Sequence, residues 1–519
     1  LNAGVRRRVR ERTAGNHILG LAAQRGEHTT ERVSIVVVAP RSTDELVVLV
    51  LSVAQNRGVH RIRPALLGRR RNSDRLGNHS ALILGDIVLR IIDLHCSLRR
   101  EKSNLSMKFV LVSTHVDQTT GYSKVVVNLL KQLTTLAPAV KTYHFGFQRH
   151  PKRESIRKVP AGVIAYDAAA NEDPREDGFG FNKIHEYLEM VNPDVVMIYN
   201  DPLIIHKFID SMKYKKDESP YKLWLYVDQV YHGIAQPLMD VLNKNAHRIY
   251  CFTKSWAKVY AEYGTGPEIS VMEHAVDPTI FRRIPEVARQ AARARMNVGP
   301  DAIIMMNANR NSSRKRQDLS IMGFVELIKR DPSKPYYLLF VTSLNVQQGA
   351  YYDLARIYQT ELRRQGLEIE EFGKRLMIVD TGDNNAKAVT DDIINDLYNA
   401  CNIGINTSDG EGFGLCQIEH LYTGAPQIVT DTGSYRSFLD DSVAEFIAPS
   451  GRMYMAGSMP LGFWIPTFTA ESVADAMESA IQNLPDRELK AARYSFKTWD
   501  TVCAGFLKDV KAEIGSKSN

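Results

Sequence analysis

The first hundred residues contain no phenylalanine, tyrosine, tryptophan, methionine or lysine. All 44 aromatic residues of the chain lie at or beyond Phe109, and the first methionine is Met107. This absence excludes an aromatic core in the segment, and with it the stacking platforms that hold single-stranded nucleic acid. Arginine fills the space instead: residues 1–100 carry 18 Arg against 8 acidic side chains. The rest of the chain holds 48 basic and 51 acidic residues, so the net charge of +7 belongs to the leading segment alone. A basic protein surface for nucleic acid is therefore not expected beyond residue 100. Met107 directly precedes a strand-like Lys108–Ser113. On this composition step, residues 1–106 read as upstream sequence translated into the chain, or as a disordered leader, with the native protein starting at Met107. The alternative is a genuine basic leader that binds RNA or an anionic surface.

Long apolar runs are also missing. Glu45–Val53, the apolar stretch near the start, falls far short of the roughly 20 residues that span a bilayer. No signal peptide with a basic start, apolar middle and small-residue cleavage site is visible. No transmembrane segment is expected, and peripheral membrane contact stays compatible with the pattern. Cysteines are few and scattered: Cys96, Cys251, Cys401, Cys416 and Cys503 form no C-x-x-C pair. Neither a disulfide framework nor a zinc site is implied, and a reducing, cytoplasmic setting fits.

What is present, from Met107 onward, is alternation. Short apolar strands and amphipathic helices follow each other, the pattern of parallel α/β architecture. Strands are expected at Lys108–Ser113, Val140–Phe145, Gly162–Tyr166, Asn192–Tyr199, Lys222–Asp228, Arg248–Phe252 and Ile269–Met272. A switch region with Pro278, Pro285 and Pro300 follows. The alternation restarts at Ala302–Asn307, Tyr336–Thr342, Arg375–Asp380, Ile403–Asn406 and Gln427–Thr430, with helices between, notably Asp391–Ala400 and Gln417–Thr423. The expectation is two Rossmann-like halves with parallel sheets facing a cleft, residues 107–285 and 286–485. A tail helix of about residues 486–514 would dock back on the first half. Loops leaving the carboxyl ends of the strands then carry the chemistry.

The richest stretch is Asn402–Pro426, where a strand runs into a turn holding Gly410, Gly412 and Gly414 and a helix begins near Leu415. Glycines allow close approach of backbone to ligand, and helix-start amides favour an anion such as phosphate. Glu411 stands before this helix and Glu419 eight positions on, within it. Carboxylates at both places suit paired hydroxyls. Glu-Gly-Phe-Gly-Leu at 411–415, followed by Glu419 and Gly424-Ala-Pro426, resembles the E-x7-E signature of family 4 retaining glycosyltransferases, which have the GT-B fold. By that resemblance Glu411 contacts the donor sugar and Glu419 the ribose. The backbone of Gly412, Phe413, Gly414 and Leu415 faces the diphosphate.

Four further segments match. Met305–Asp318 leaves the first strand of the second half, and Arg310 and Lys315 there match the family's diphosphate-neutralising Arg and Lys, with Arg314 or Arg316 as stand-ins. Glu273-His-Ala-Val-Asp277, with Phe281 four residues on, is similar to the family's H-G-V-D-x-x-x-F junction, with Ala275 in place of the glycine; His274 and Asp277 are read as structural. Gly121 in Gln118–Ser123 matches a glycine loop near the diphosphate, as one glycine rather than the common pair. The tail segment Arg493–Trp499 is like the family's closing aromatic-plus-Trp segment. Asp228, ending its strand, is expected beside the donor sugar or acceptor hydroxyl, with His232 as a weaker neighbour.

The resemblance implies transfer of a sugar from a nucleotide diphosphate-sugar to a carbohydrate-containing acceptor with retention of configuration. No cofactor or metal is expected: cations near the diphosphate do that work, and Asp391-Asp392 lies at a helix start where it complements the dipole. The alternatives are a GT-B protein that binds nucleotide or glycan without turnover, and a nucleotide-sugar epimerase on the same scaffold. A glycoside hydrolase pair and a phosphorylase are disfavoured, the first by the setting of Glu419 and the second by the lack of a pyridoxal-phosphate lysine context.

Overall fold

The computed structural model describes residues 107–516 apart from 151–154, 156, 173, 174, 176, 265, 345–349, 382–388, 456–461 and 496; of residues 1–106 it describes the backbone of four strands. These are β1 (Leu19–Gln24), β2 (Arg32–Ser42), β3 (Glu45–Asn56) and β4 (Val59–Leu66), paired antiparallel in that order. Most of what was expected of residues 1–106 lies outside the described residues. The segment forms a unit separate from the rest of the chain.

Beyond it, β5 (Lys108–Thr114), β6 (Lys141–Phe147), β7 (Val163–Asp167), β8 (Val195–Asn200), β9 (Lys222–Val227), β10 (Arg248–Cys251) and β11 (Glu268–Val271) form one sheet in the order β11-β10-β9-β8-β5-β6-β7. Every described pairing in it is parallel. β12 (Ile303–Asn307), β13 (Tyr336–Thr342), β14 (Leu376–Asp380), β15 (Ile403–Asn406), β16 (Gln427–Thr430) and β17 (Ala444–Ile447) form a second parallel sheet in the order β14-β13-β12-β15-β16-β17. The two expected Rossmann-like domains are present.

Helices cover the sheets as their apolar spacing requires. In the Gly121–Leu136 helix, Val126, Leu129, Leu130 and Leu133 are buried against the first sheet. It starts where Thr120 caps it, the hydroxyl accepting from the Ser123 amide at 3.1 Å while the Ser123 hydroxyl accepts from the Thr120 amide at 3.2 Å. Such reciprocal capping satisfies two amides that the helix leaves open.

Each sheet reverses its strand order at one place, between β5 and β8 in the first and between β12 and β15 in the second. Chain leaving the carboxyl ends of neighbouring strands there diverges to opposite faces and leaves a crevice. The loops after β5 and β8, and after β12 and β15, therefore flank the two crevices.

The tail departs from the single helix expected. It breaks into Leu484–Ala491 and Trp499–Ser516. The first stays with the second domain through Arg487–Glu445 and Arg289–Glu488 ion pairs. The second docks on the first domain: Phe506 packs edge-on against Phe109 and Trp224, and Asp509 accepts from the Tyr250 hydroxyl at 2.7 Å. Residues 492–498 cross between domains, and Thr498 with Asp500 marks a fresh helix start that overrides continuous periodicity. The hairpin of β18 (Gly451–Met455) and β19 (Phe463–Thr467) and the capped Ala470–Gln482 helix were not anticipated from sequence.

Candidate functional site

The loops at the second sheet's crevice bring cations and a carboxylate together. After β12 the chain runs through a short helical turn, Ser313–Lys315, and Arg316 takes a left-handed conformation (φ 45°). That reversal sends Arg316 to Asp318 at 3.1 Å and leaves Arg314 and Lys315 facing β15's loop. Lys315 pairs with Glu411, and Arg314 reaches the Gly410 carbonyl and stands 3.7 Å from Glu411. Lys315 is 9% exposed and Glu411 8%. Burial pushes the Glu411 carboxyl up, but Lys315 and Arg314 pull it down by more, so it lies below the ordinary carboxylate range. Arg310 stands exposed three residues beyond β12. Arg314, named from sequence as a stand-in, is thus the residue that joins Lys315 at Glu411.

The glycine-rich turn lets the first domain approach. A side chain at Gly412 would come within 2.0 Å of Asp228 Oδ1, and one at Gly410 within 2.6 Å of Tyr231 and the Val230 carbonyl. Only a bare backbone fits there. Gly414 (φ 106°) precedes the Leu415–Tyr422 helix, whose first amides have no intrahelical partner. Phe413 turns inward, stacked on Phe438 at 4.8 Å and packed against His274. Gly121 lies opposite Leu415, a side chain there meeting Leu415 Cδ1 at 3.5 Å.

From the first domain comes Asp228, just past β9, whose Oδ2 accepts from the Tyr122 hydroxyl at 2.6 Å. Burial holds its carboxyl up at about 6, with Tyr122 pulling against that. Trp256 Nε1 donates to the carbonyls of Glu411 (3.2 Å) and Gly412 (3.0 Å), and Tyr231 donates to Asp409 at 2.9 Å. His232 is exposed, its ring 5.3 Å from Trp256. His274 sits in an aromatic nest of Tyr199, Tyr226, Phe252 and Trp499, and burial holds it neutral, near 3. Asp277 accepts from the amide and hydroxyl of Thr279. Both have the local, structural environment expected of them.

Glu419 is 3% exposed and lies on the Leu415–Tyr422 helix that follows the turn holding Glu411. Its partners come from elsewhere: Lys124 of the first domain at 2.8 Å and the Tyr398 hydroxyl at 3.3 Å. Lys124 also reaches Asp391 at 3.1 Å, and Arg157 reaches Asp391 at 2.9 Å. Asp391 therefore does more than complement a helix dipole. Sequence reasoning missed Tyr122, Lys124, Arg157, Tyr231 and Trp256, which no local spacing ties to the glutamates. Among the described residues no group of three or more His, Cys, Asp or Glu is gathered as a metal site, and no helix is long and apolar enough to cross a membrane.

No family model matches the chain. D-inositol 3-phosphate glycosyltransferase from Streptomyces bingchenggensis is 25% identical to it over 206 residues, 39% of this chain and 42% of that protein. The chain thus matches less than half the length of this curated relative. Sucrose-phosphate synthase from Thermosynechococcus elongatus superposes with a TM-score of 0.58 at 15% identity, over 79% of this chain and all (100%) of that one. HepE from Anabaena, in complex with UDP and glucose, does so with a TM-score of 0.53 at 13% identity, over 78% and 100%. At such identities the structural likeness is one of fold. Two parallel-sheet domains facing across a crevice, with these neighbours, give the chain the GT-B fold.

Proposed function

We propose that the chain is a retaining glycosyltransferase of the E-x7-E, family 4 kind, which moves a sugar from a nucleotide diphosphate-sugar to a carbohydrate-containing acceptor without a metal. The observation that carries this is the convergence of Lys315 and Arg314 on Glu411 at the second sheet's switch point, with Glu419 on the helix that follows. A buried cation, Lys315, and a half-buried one, Arg314, beside the open start of a helix suit a diphosphate. Glu411, ionised, accepts hydrogen bonds from donor-sugar hydroxyls, and Glu419 accepts from the ribose. Arg310 joins the diphosphate from the rim. Asp228 faces the sugar or the incoming hydroxyl from the first domain.

In the reaction, the donor's anomeric carbon–oxygen bond breaks and the nucleoside diphosphate leaves with the electron pair, its charge offset by Lys315 and Arg314. The acceptor oxygen bonds to the anomeric carbon on the same face, and its proton passes to a diphosphate oxygen. The reading draws support from HepE, solved with UDP and glucose, and from the glycosyltransferase name of the sequence relative. A non-catalytic binder or an epimerase has no specific observation in its favour.

The test is to incubate the protein with UDP-, GDP- and ADP-sugars and a panel of glycan and sugar-phosphate acceptors. Nucleotide release is followed, and the anomer first formed is read by proton NMR. The expected product keeps the donor's anomeric configuration. A product of inverted configuration, or turnover with no donor, overturns the proposal.

A further inference from the structure

Four charged side chains form a chain across the cleft, away from the Glu411 cluster. Glu419 Oε1 accepts from Lys124 Nζ at 2.8 Å, Lys124 lies 3.1 Å from Asp391 Oδ1, and Asp391 Oδ2 accepts from Arg157 Nη1 at 2.9 Å. Lys124 and Arg157 belong to the first domain, Asp391 and Glu419 to the second. Lys124 stands in the first turn of the Gly121–Leu136 helix, the end at which a helix dipole disfavours a cation. Its position answers to the carboxylates opposite. The ammonium also lies 4.7 Å over the Phe281 ring, which shields it from water. A carboxylate as buried as Glu419 does not stay charged without such a partner.

We infer that Lys124 is a positioning residue of the nucleotide subsite: it keeps Glu419 ionised and aimed at the ribose, with Asp391 as its second partner from the opposite domain. This rests on the assignment of Glu419 to the ribose. Each carboxylate oxygen carries two lone pairs. Lys124 takes one on Oε1 and the Tyr398 hydroxyl one on Oε2, so each oxygen keeps one for a ribose hydroxyl.

The groups facing Glu419 are few. Lys124 comes from the Gly121–Leu136 helix, and Asp391 and Tyr398 from the Asp391–Ala400 helix. Cys416 and His420 share its own helix. Burial pushes the Cys416 thiol up to about 11 and holds His420 near 3, so both are neutral. Burial raises the Glu419 carboxyl, Lys124 lowers it and Asp391 raises it again, with a net upward displacement. Removing Lys124 takes away the group that opposes that rise. The ionised form, and ribose binding with it, is present above the carboxyl's pKa and is lost as pH falls through it.

The experiment titrates UDP, GDP and ADP calorimetrically into the whole chain between roughly pH 5 and pH 8, which brackets a raised glutamate. In Lys124→Met, the acid-side fall in affinity sets in at a pH higher by about 1 or more, and at pH values below both midpoints binding approaches about tenfold weaker than in the unaltered chain. Lys124→Arg restores the original profile. Thermal unfolding is recorded for each variant, and Lys124→Gln replaces the methionine variant if that one does not fold. An unchanged pH profile in Lys124→Met or Lys124→Gln overturns the inference. So does an equal loss at every pH that arginine does not repair, since that marks a structural role. If the unaltered chain binds none of the three nucleotides, the assignment of Glu419 itself falls, and this inference with it.

Discussion

The two domains contribute to one cleft in different ways. The second supplies a compact set from neighbouring loops: Arg314, Lys315, Glu411 and Glu419, all leaving β12 and β15. The first supplies isolated groups from separate loops: Tyr122 and Lys124 after β5, Arg157 after β6, Asp228 and Tyr231 after β9. A nucleotide diphosphate is one chemical object with fixed spacing between sugar, phosphates and ribose. On the proposed function the site that holds it needs fixed spacing too, and two neighbouring loops, after β12 and after β15, supply that spacing.

That contrast can be broken or sharpened, beginning with the domain seam. Phe506, on the crossing helix, is buried between Phe109 and Trp224. Phe506→Ala is expected to cost about 3–5 kcal/mol of stability, read as a lower denaturation midpoint, because the tail helix is part of the first domain's core. A loss confined to the second domain's unfolding contradicts this.

Next is Lys315→Met, which removes the buried cation beside Glu411. Transfer is expected to slow by on the order of 10²–10³-fold, mostly in kcat. A change in KM alone would place Lys315 outside the reacting centre. Glu419→Ala follows, with nucleotide affinity lowered by about 10–100-fold, measured by titration.

The effect at Asp228 is on stability rather than binding, and it is read through pH. Folding raises this carboxyl from its usual range to about 6. The folded state therefore holds the proton more tightly, and stability falls as pH rises from about 4 to about 6, remaining lower above that. Asp228→Asn removes the penalty, so its stability gains on the unaltered chain across that window by roughly 2–3 kcal/mol, read as a higher thermal unfolding temperature. If the proposed function holds, with Asp228 beside the reacting sugar, activity should fall at the same time. A variant equally stable at pH 4 and pH 7 relative to the unaltered chain contradicts the raised carboxyl.

The strand pattern of both sheets was legible in the sequence because parallel strands buried on both faces read as short apolar runs, and β13, β15 and β16 fall at the expected residues. The Glu411–Glu419 spacing was legible for the reason already given. Lys124 was not: in a helix whose other face is apolar, a lysine reads as a solvated residue, and only the tertiary approach of Glu419 gives it a role. Arg314 was mentioned but set behind Arg310, since the left-handed turn at Arg316 that selects which cations face inward leaves no local signature in a run of basic residues. The break in the tail was hidden for a related reason: apolar spacing continues through it, and the chain turns only because it must cross between domains.

The most direct measurement of the account is calorimetric titration of nucleoside diphosphates into three proteins: the unaltered chain, Glu419→Ala and Asp228→Asn. One nucleotide should bind the unaltered chain, bind Glu419→Ala about 10–100-fold more weakly, and bind Asp228→Asn within about threefold of the original, a change no larger than one weak contact. Nucleotide binding that survives Glu419→Ala intact but is lost in Asp228→Asn would contradict the assignment of the donor to the second domain.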